Sequence, residues 1–178
     1  MKNGTHNLGP DNSTLQVKTY RAGMAQKAGH DLVIDVTAWK ATVDIDENSN
    51  FTVELSADPR SLRVRDGQGG VKPLTDKDKA DIHKSIDDKV LKGKAITFKS
   101  TEASSNGAGP AAVTGEVSMG GNSRPVSFEV DVAPDGQVTG TVPLTQSEWG
   151  IKPYSGLMGA LKVRDDVEVV LRGQLPAA

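Results

Sequence analysis

The chain of 178 residues contains no cysteine. Disulfides, thiolate metal sites and cysteine nucleophiles are excluded, and the redox compartment is left open. Aromatic residues make up only 4% of the chain, which is thin for a β-rich domain. Interior positions therefore fall mainly to Val, Ile, Leu, Ala and Gly. Neither sign of charge dominates: 21 Lys and Arg stand against 23 Asp and Glu, scattered along the chain. There is no basic stripe, so no nucleic-acid partner is expected. No apolar run approaches the ~20 residues that span a bilayer. Met1-Lys2-Asn3-Gly4 leads into polar sequence without the apolar core of a secretory signal, which gives a cytoplasmic expectation. The length fits one domain, residues 1–178, able to bury a real core.

What the chain does have is alternation. From Ala112 to Leu144, Val113, Gly115, Val117 and Met119 alternate with polar residues up to Gly120-Gly121-Asn122. Val126, Phe128, Val130 and Val132 then alternate up to Pro134-Asp135-Gly136, and Val138, Gly140, Val142 and Leu144 follow. Period-two apolar residues bounded by turn residues predict half-buried strands joined by hairpins. Three in a row make an antiparallel meander with one wet and one apolar face.

The rest of the chain is read around it. Gly4 to Val17 is an entry strand, and Arg21 to Gly29 is a helical turn or two closed by Gly29. His30 to Asp46 is a long strand whose apolar phase slips at Ala38-Trp39. Such a slip requires a bulge or a sharp bend. Phe51 to Ala57 is a strand, Pro59 interrupts, Leu62 and Val64 continue a shorter one, and Gly67 to Gly70 is a loop. Thr75 to Leu91 is the clear helix: Thr75 and Asp78 start it in the manner of a capping box, Ile82, Ile86 and Val90 form one apolar stripe, and Gly93 ends it. Ile96 and Phe98 open another strand, Ser104 to Pro110 is a loop, Glu148 to Ala160 is irregular, Val167, Val169 and Leu171 form a last strand, and Leu175 to Ala178 is tail. About nine strands with one helix and no βαβ alternation predict a mainly all-β antiparallel fold. Such a sheet pairs with a second sheet or closes on itself; the phase slip and the inward Gly and Thr favour closure into a barrel.

A barrel lined by small residues leaves space. A lumen of the ~300–1,000 Å3 typical of ligand pockets would cost roughly 7–24 kcal/mol if dry, against about 5–15 kcal/mol of total stability. The lumen is therefore collapsed, wet or occupied, and an apolar lining favours occupancy.

Five pieces of sequence, in order, resemble the YceI-like family of lipid-binding proteins. They are Gly4-Thr5 with Leu8, Pro10, Ser13, Leu15 and Val17; Ile96-Thr97-Phe98-Lys99-Ser100; Val113-Thr114-Gly115-Glu116-Val117 with Gly121 and Arg124-Pro125-Val126; Ser147-Glu148-Trp149-Gly150-Ile151; and Asp166-Val167-Glu168-Val169. The resemblance implies an extended eight-stranded, lipocalin-like antiparallel barrel with a flanking helix packed outside. It also implies a lumen that holds a long amphipathic lipid, a polyisoprenoid or isoprenoid quinone. His6, Gly9 and Asn12 stand where the family pattern has Trp, Asp and His, and Ala28-Gly29-His30-Asp31-Leu32 replaces its usual basic segment.

The residues expected to touch the lipid are Ile34, Val36, Phe98, Val117, Met119, Phe128, Val130, Val142 and Leu144, with Trp149, Tyr154, Leu157 and Met158 forming a lid or a plug at the mouth. No catalytic residue, metal ligand or cofactor is expected beyond a bound isoprenoid or fatty lipid, since no His, Asp and Glu spacing matches a metal site. His83 reads as a solvated helix residue and His30 as a structural hydrogen-bonder at a barrel end. The Asp and Lys residues of the helix read as a solvated face. One alternative is an enzyme using the same lumen, for which Asp35, His30 and Glu54 are the polar residues to inspect. Another is a protein-interaction module with a filled barrel. A homodimer is possible.

Overall fold

A computed structural model of the protein describes residues 2–104 and 110–176. The strands in chain order are β1 (Gly4–Leu8), β2 (Ser13–Thr19), β3 (Arg21–Ala22), β4 (His30–Val36), β5 (Trp39–Ile45), β6 (Phe51–Ala57) and β7 (Leu62–Gly69). Helix α1 (Asp76–Ser85) follows. After it come β8 (Ile96–Ser104), β9 (Ala111–Met119), β10 (Asn122–Val132), β11 (Gln137–Thr145), β12 (Ser155–Gly156), β13 (Leu161–Val163) and β14 (Asp166–Gln174).

Eleven strands form one antiparallel sheet in the order β1-β5-β6-β8-β9-β10-β11-β14-β2-β4-β7. The meander stands as read. Asn122 faces Met119 across a turn in which Gly120 and Gly121 both take positive φ, and Val130 faces both Ala111 and Gly140. The alternation is a burial alternation: in β5, Trp39, Ala41, Val43 and Ile45 are buried while Lys40 and Asp44 are exposed.

Two expectations are corrected. The sheet has eleven strands rather than eight, because three of the chain's long passes break at corners. Between β1 and β2 the Asn12 carboxamide accepts from Gly9 N–H at 3.0 Å and Ser13 N–H donates to Gly9 O at 2.8 Å. Between β4 and β5, Thr37 N–H donates to Ser61 O at 3.0 Å; the phase slip at Ala38-Trp39 is this corner, so His30 to Asp46 is two strands. Between β6 and β7, Pro59–Ser61 makes a 3-10 turn capped by Asp58. Each corner sends the chain from one part of the sheet to another, so β1 lies on β5 while β2 lies on β14 and β4. The sheet therefore curls over itself as a half-barrel. It is not a closed barrel: β1 and β7 are its edges among the described residues.

Smaller differences have local causes. β7 runs through Gly69, where a loop is read from composition, because β4 pairs with it as far as His30–Gly69. The helix does start at the Thr75 cap, the Thr75 hydroxyl accepting from Asp78 N–H and the Asp78 carboxylate accepting from Thr75 N–H, with Asp76 its first residue. It turns π-helical over Ile86–Leu91 and stops at left-handed Lys92. The 21–29 segment is a two-residue strand and a 3-10 turn, Gln26–Ala28, and β3 joins β12 and β13 in a separate small sheet. The predicted loop from Ser104 to Pro110 lies almost wholly outside the described residues.

Candidate ligand-binding cavity

The inward side chains of the curled sheet enclose a cavity of about 280 Å3. Its wall carries the nine strand residues expected from alternation: Ile34, Val36, Phe98, Val117, Met119, Phe128, Val130, Val142 and Leu144. Two features keep it open. Val is the commonest inward residue, and Gly115 leaves room for the Phe98 ring, since a Cβ there would come within 2.6 Å of that ring. Phe98 then meets Phe128 in a tilted aromatic pair, centroids 5.6 Å apart. Helix residues Ile86, Val90 and Leu91 complete the wall. The helical segment thus closes part of the cavity with apolar side chains. The periodic stripe that builds this wall is visible in the sequence; that it faces the lumen is not.

Among the described residues, Thr19, Thr97 and Gln146 are the polar side chains that line this cavity, besides the indole of Trp39. Gln146 is held by its amide N–H donating to Arg164 O at 3.0 Å. The Thr19 hydroxyl and the indole N–H of Trp39, which also lines the wall, are buried with no hydrogen-bond partner among the described residues. Leaving such a group unpaired costs about 1–3 kcal/mol.

A second cavity of about 520 Å3 adjoins the first. Thr19, Ile34, Ile86, Val90 and Gln146 line both, so they form the partition. Its character differs: Arg21, His30, Lys72, Asp78, Tyr154 and Lys162 stand among its apolar residues. Arg21 is locked by its guanidinium donating to Gly29 O at 2.9 Å and facing Asp31 at 3.8 Å. His30 Nε2 donates to Lys72 O at 2.9 Å, the structural role read for it. Nearby, the Tyr20 hydroxyl donates to Glu168 at 2.7 Å, and that bond raises the Tyr20 pKa above its ordinary value of 10.0. The two amide and hydroxyl bonds from Thr75 hold the Asp78 carboxyl below its ordinary range.

The four mouth residues are not brought together with the nine. Trp149 is fully buried, its indole N–H donating to Val117 O at 2.8 Å; it braces the wall from behind and does not line the main cavity. Tyr154 lines the second cavity. Leu157 and Met158 are exposed and line neither. Of the polar residues suggested for an enzyme, Asp35 accepts from Gln16 at 2.7 Å, Glu54 pairs with Lys99 at 2.7 Å, and neither lines either cavity. His83 is half-buried rather than solvated, 3.5 Å from Asp87 and hydrogen-bonded to Arg63. Among the described residues no group of three or more His, Cys, Asp and Glu is placed to hold a metal ion.

The family model described as a YceI-like domain matches residues 7–175. The chain belongs to the YceI-like family. The crystal structure of Burkholderia cenocepacia BcnA has this fold, with a TM-score of 0.64 and 17% identity, covering 90% of this chain and 94% of that one. The YceI protein of Campylobacter jejuni is more distant, at 13% identity and a TM-score of 0.48, covering 80% of this chain and 85% of that one. No curated protein matches the chain in sequence.

Proposed function

We propose that this YceI-like protein binds a long-chain amphipathic lipid, a polyisoprenoid or isoprenoid quinone, and stores or carries it. The observation that carries this reading is the pairing of two unlike cavities. Among the described residues, one is apolar apart from three side chains, while the other, also mainly apolar, carries Arg21, His30, Lys72, Asp78, Asp81 and Lys162 in its lining, with the unpartnered Thr19 hydroxyl between them. An amphipathic molecule has the same division: its chain suits the first space and its head the second. Binding would come from burial of the chain at ~0.8 kcal/mol per CH2. Arg21, Lys72 and Lys162 are offset by Asp78 and Asp81 around the second cavity, which suits a head of little net charge.

Energetics support occupancy. A dry void of about 280 Å3 would cost ~7 kcal/mol at the coefficient for engineered cavities, comparable with a whole domain's ~5–15 kcal/mol. An enzyme in the same lumen has less support: of Asp35, His30 and Glu54, only His30 reaches a cavity, and that is the outer one, where it is tied to Lys72. A filled barrel acting as an interaction module is disfavoured by the space itself.

Native mass spectrometry of the purified protein, followed by solvent extraction, tests the reading. A stoichiometric added mass that extracts as an isoprenoid supports it. An apo mass, with no rise in Tm on adding prenols, quinones or fatty acids, refutes it.

A further inference from the structure

Four large apolar side chains are exposed among the described residues: Met24, Val71, Leu157 and Met158. All four belong to one end of the molecule. Met24 sits in the turn after β3, where Ala25 N–H donates to Ala160 O at 2.9 Å, two residues from Met158. Val71 lines the second cavity together with Gly29 and Leu161, and a Cβ on Gly29 would meet the Leu161 side chain. Isolated exposed apolar side chains are ordinary, but their gathering on one rim is not. Met158 is wholly exposed. It and Leu157 are held in left-handed backbone at φ 56° and 47°, a conformation that non-glycine residues rarely adopt.

The same three segments have a second property. Residues 20–30, 69–74 and 149–164 contain Arg21, Lys27, Lys72, Lys152, Lys162 and Arg164 and no Asp or Glu. A chain of net charge −2 therefore carries +6 here and −8 elsewhere. The nearest carboxylates are engaged: Asp31 accepts from Arg21 N–H at 2.8 Å, Asp78 caps α1, and Asp165 accepts from Ser147. Asp81, on the helix side of the cavity, and the exposed Asp76 and Glu148 that flank two of the segments are exceptions. Arg164 lies over the Tyr20 ring at 5.9 Å, and Lys27, Lys152 and Lys162 are exposed.

We infer that the rim formed by the small β3–β12–β13 sheet and the 69–74 loop docks on a lipid bilayer that carries anionic headgroups. Protruding Met, Leu and Val side chains set among more Lys and Arg than free carboxylates match the two layers of such a surface. The apolar tips enter the headgroup–acyl boundary, and the cations meet phosphates above it. The Met side chains are unbranched and adapt to disordered acyl chains. The docked orientation brings the mouth of the second cavity to the leaflet. The inference stands apart from the cargo reading, because it concerns a surface and not the lumen.

Flotation of the full-length protein with phosphatidylcholine vesicles, with and without about 30% phosphatidylglycerol, tests it. The expected result is binding to the anionic vesicles roughly tenfold above the neutral ones, weakened by raising salt from 50 to 300 mM. Met24→Ser with Met158→Ser lowers binding about tenfold, and Lys27→Glu with Lys152→Glu abolishes the anionic preference. Both pairs keep the wild-type Tm and the Tm rise produced by a detergent-solubilised prenol. Wild-type protein that stays off both vesicles overturns the inference. So does protein that stays off vesicles and forms a dimer which Met24→Ser with Met158→Ser dissociates, since the rim then covers a second copy. Vesicle binding without prenol uptake leaves docking standing and removes the carrier reading; prenol uptake without vesicle binding does the reverse.

Discussion

In the β9–β11 meander, every second side chain points into the lumen and the neighbours point to water. Around the second cavity no period survives. Residues 146–164 pass through two 3-10 turns, the short strands β12 and β13, and left-handed residues. The first region gets its geometry from strand pairing, which any Val-rich alternating sequence would repeat. The second gets it from single contacts: the Trp149 indole on Val117 O, Arg164 N–H on Tyr20 O, and Val163 N–H on Tyr154 O. A regular wall makes a space of one character, whereas an irregular rim can put a charge, a ring or an exposed Met wherever a contact holds it.

That contrast can be broken at its strongest contact. Trp149→Ala removes the most fully buried large side chain among the described residues and its hydrogen bond, and should cost about 3–5 kcal/mol, measured by urea unfolding. Tyr154→Ala, in the same irregular segment but half-buried, should cost about a third of that. Equal losses would mean that the rim and the wall fold as one packing unit.

A second substitution acts on the lumen alone. Val117→Phe adds bulk at the wall of the main cavity. It should weaken prenol or quinone binding by at least about tenfold, read by calorimetric titration, with Tm changed by less than a few degrees. Unchanged affinity would place the ligand elsewhere.

The partition offers a finer test. Thr19→Val replaces an unpartnered buried hydroxyl with a methyl of similar shape. Stability should rise by about 1 kcal/mol, because the desolvation penalty of the hydroxyl disappears. Affinity for a lipid with a hydroxyl or quinone head should fall roughly fivefold relative to a hydrocarbon of equal length. A parallel change for both ligands would show that the hydroxyl meets no polar head.

The smallest effect is with pH. The hydrogen bond to Glu168 raises the Tyr20 pKa above 10.0 in the folded protein, so the folded state keeps its proton to higher pH than the unfolded chain does. The stabilisation is complete below about pH 10 and is lost as pH climbs through the folded value. Tyr20→Phe should flatten the stability profile above pH 10 and leave it parallel to wild type near neutrality, followed by thermal melts across that range.

These two regions were unequally legible. Nine of the thirteen residues expected at the ligand line the main cavity, and all nine sit on strands where period two decides the face. The other four lie in 149–160, where apolar composition was the sole guide. There, Trp149 went behind the wall, Tyr154 to the second cavity, and Leu157 and Met158 to solvent. The strand count went astray at corners for a related reason. Alternation continues on either side of Ala38-Trp39, and only the bonds of Thr37 and Asp58 across that corner separate β4 from β5. Helix α1 was visible by its capping box and stripe, but a stripe does not name the surface it meets.

The sequence by itself determined the antiparallel β class, the apolar character of the lumen, the start of the helix and membership in the YceI-like family. Each rests on local chemistry: side-chain period, turn residues, a cap, and short motifs in order. Only the tertiary structure decided that the sheet remains a half-barrel, that the helical segment walls the cavity, that a second cavity with charged residues in its lining adjoins the first, and that Met24, Val71 and Met158 share a rim. Those outcomes depend on pairings between residues far apart in the chain, such as Lys162 with Ala22 and His30 with Gly69, and the period of a single strand carries no information about which distant strand it will meet.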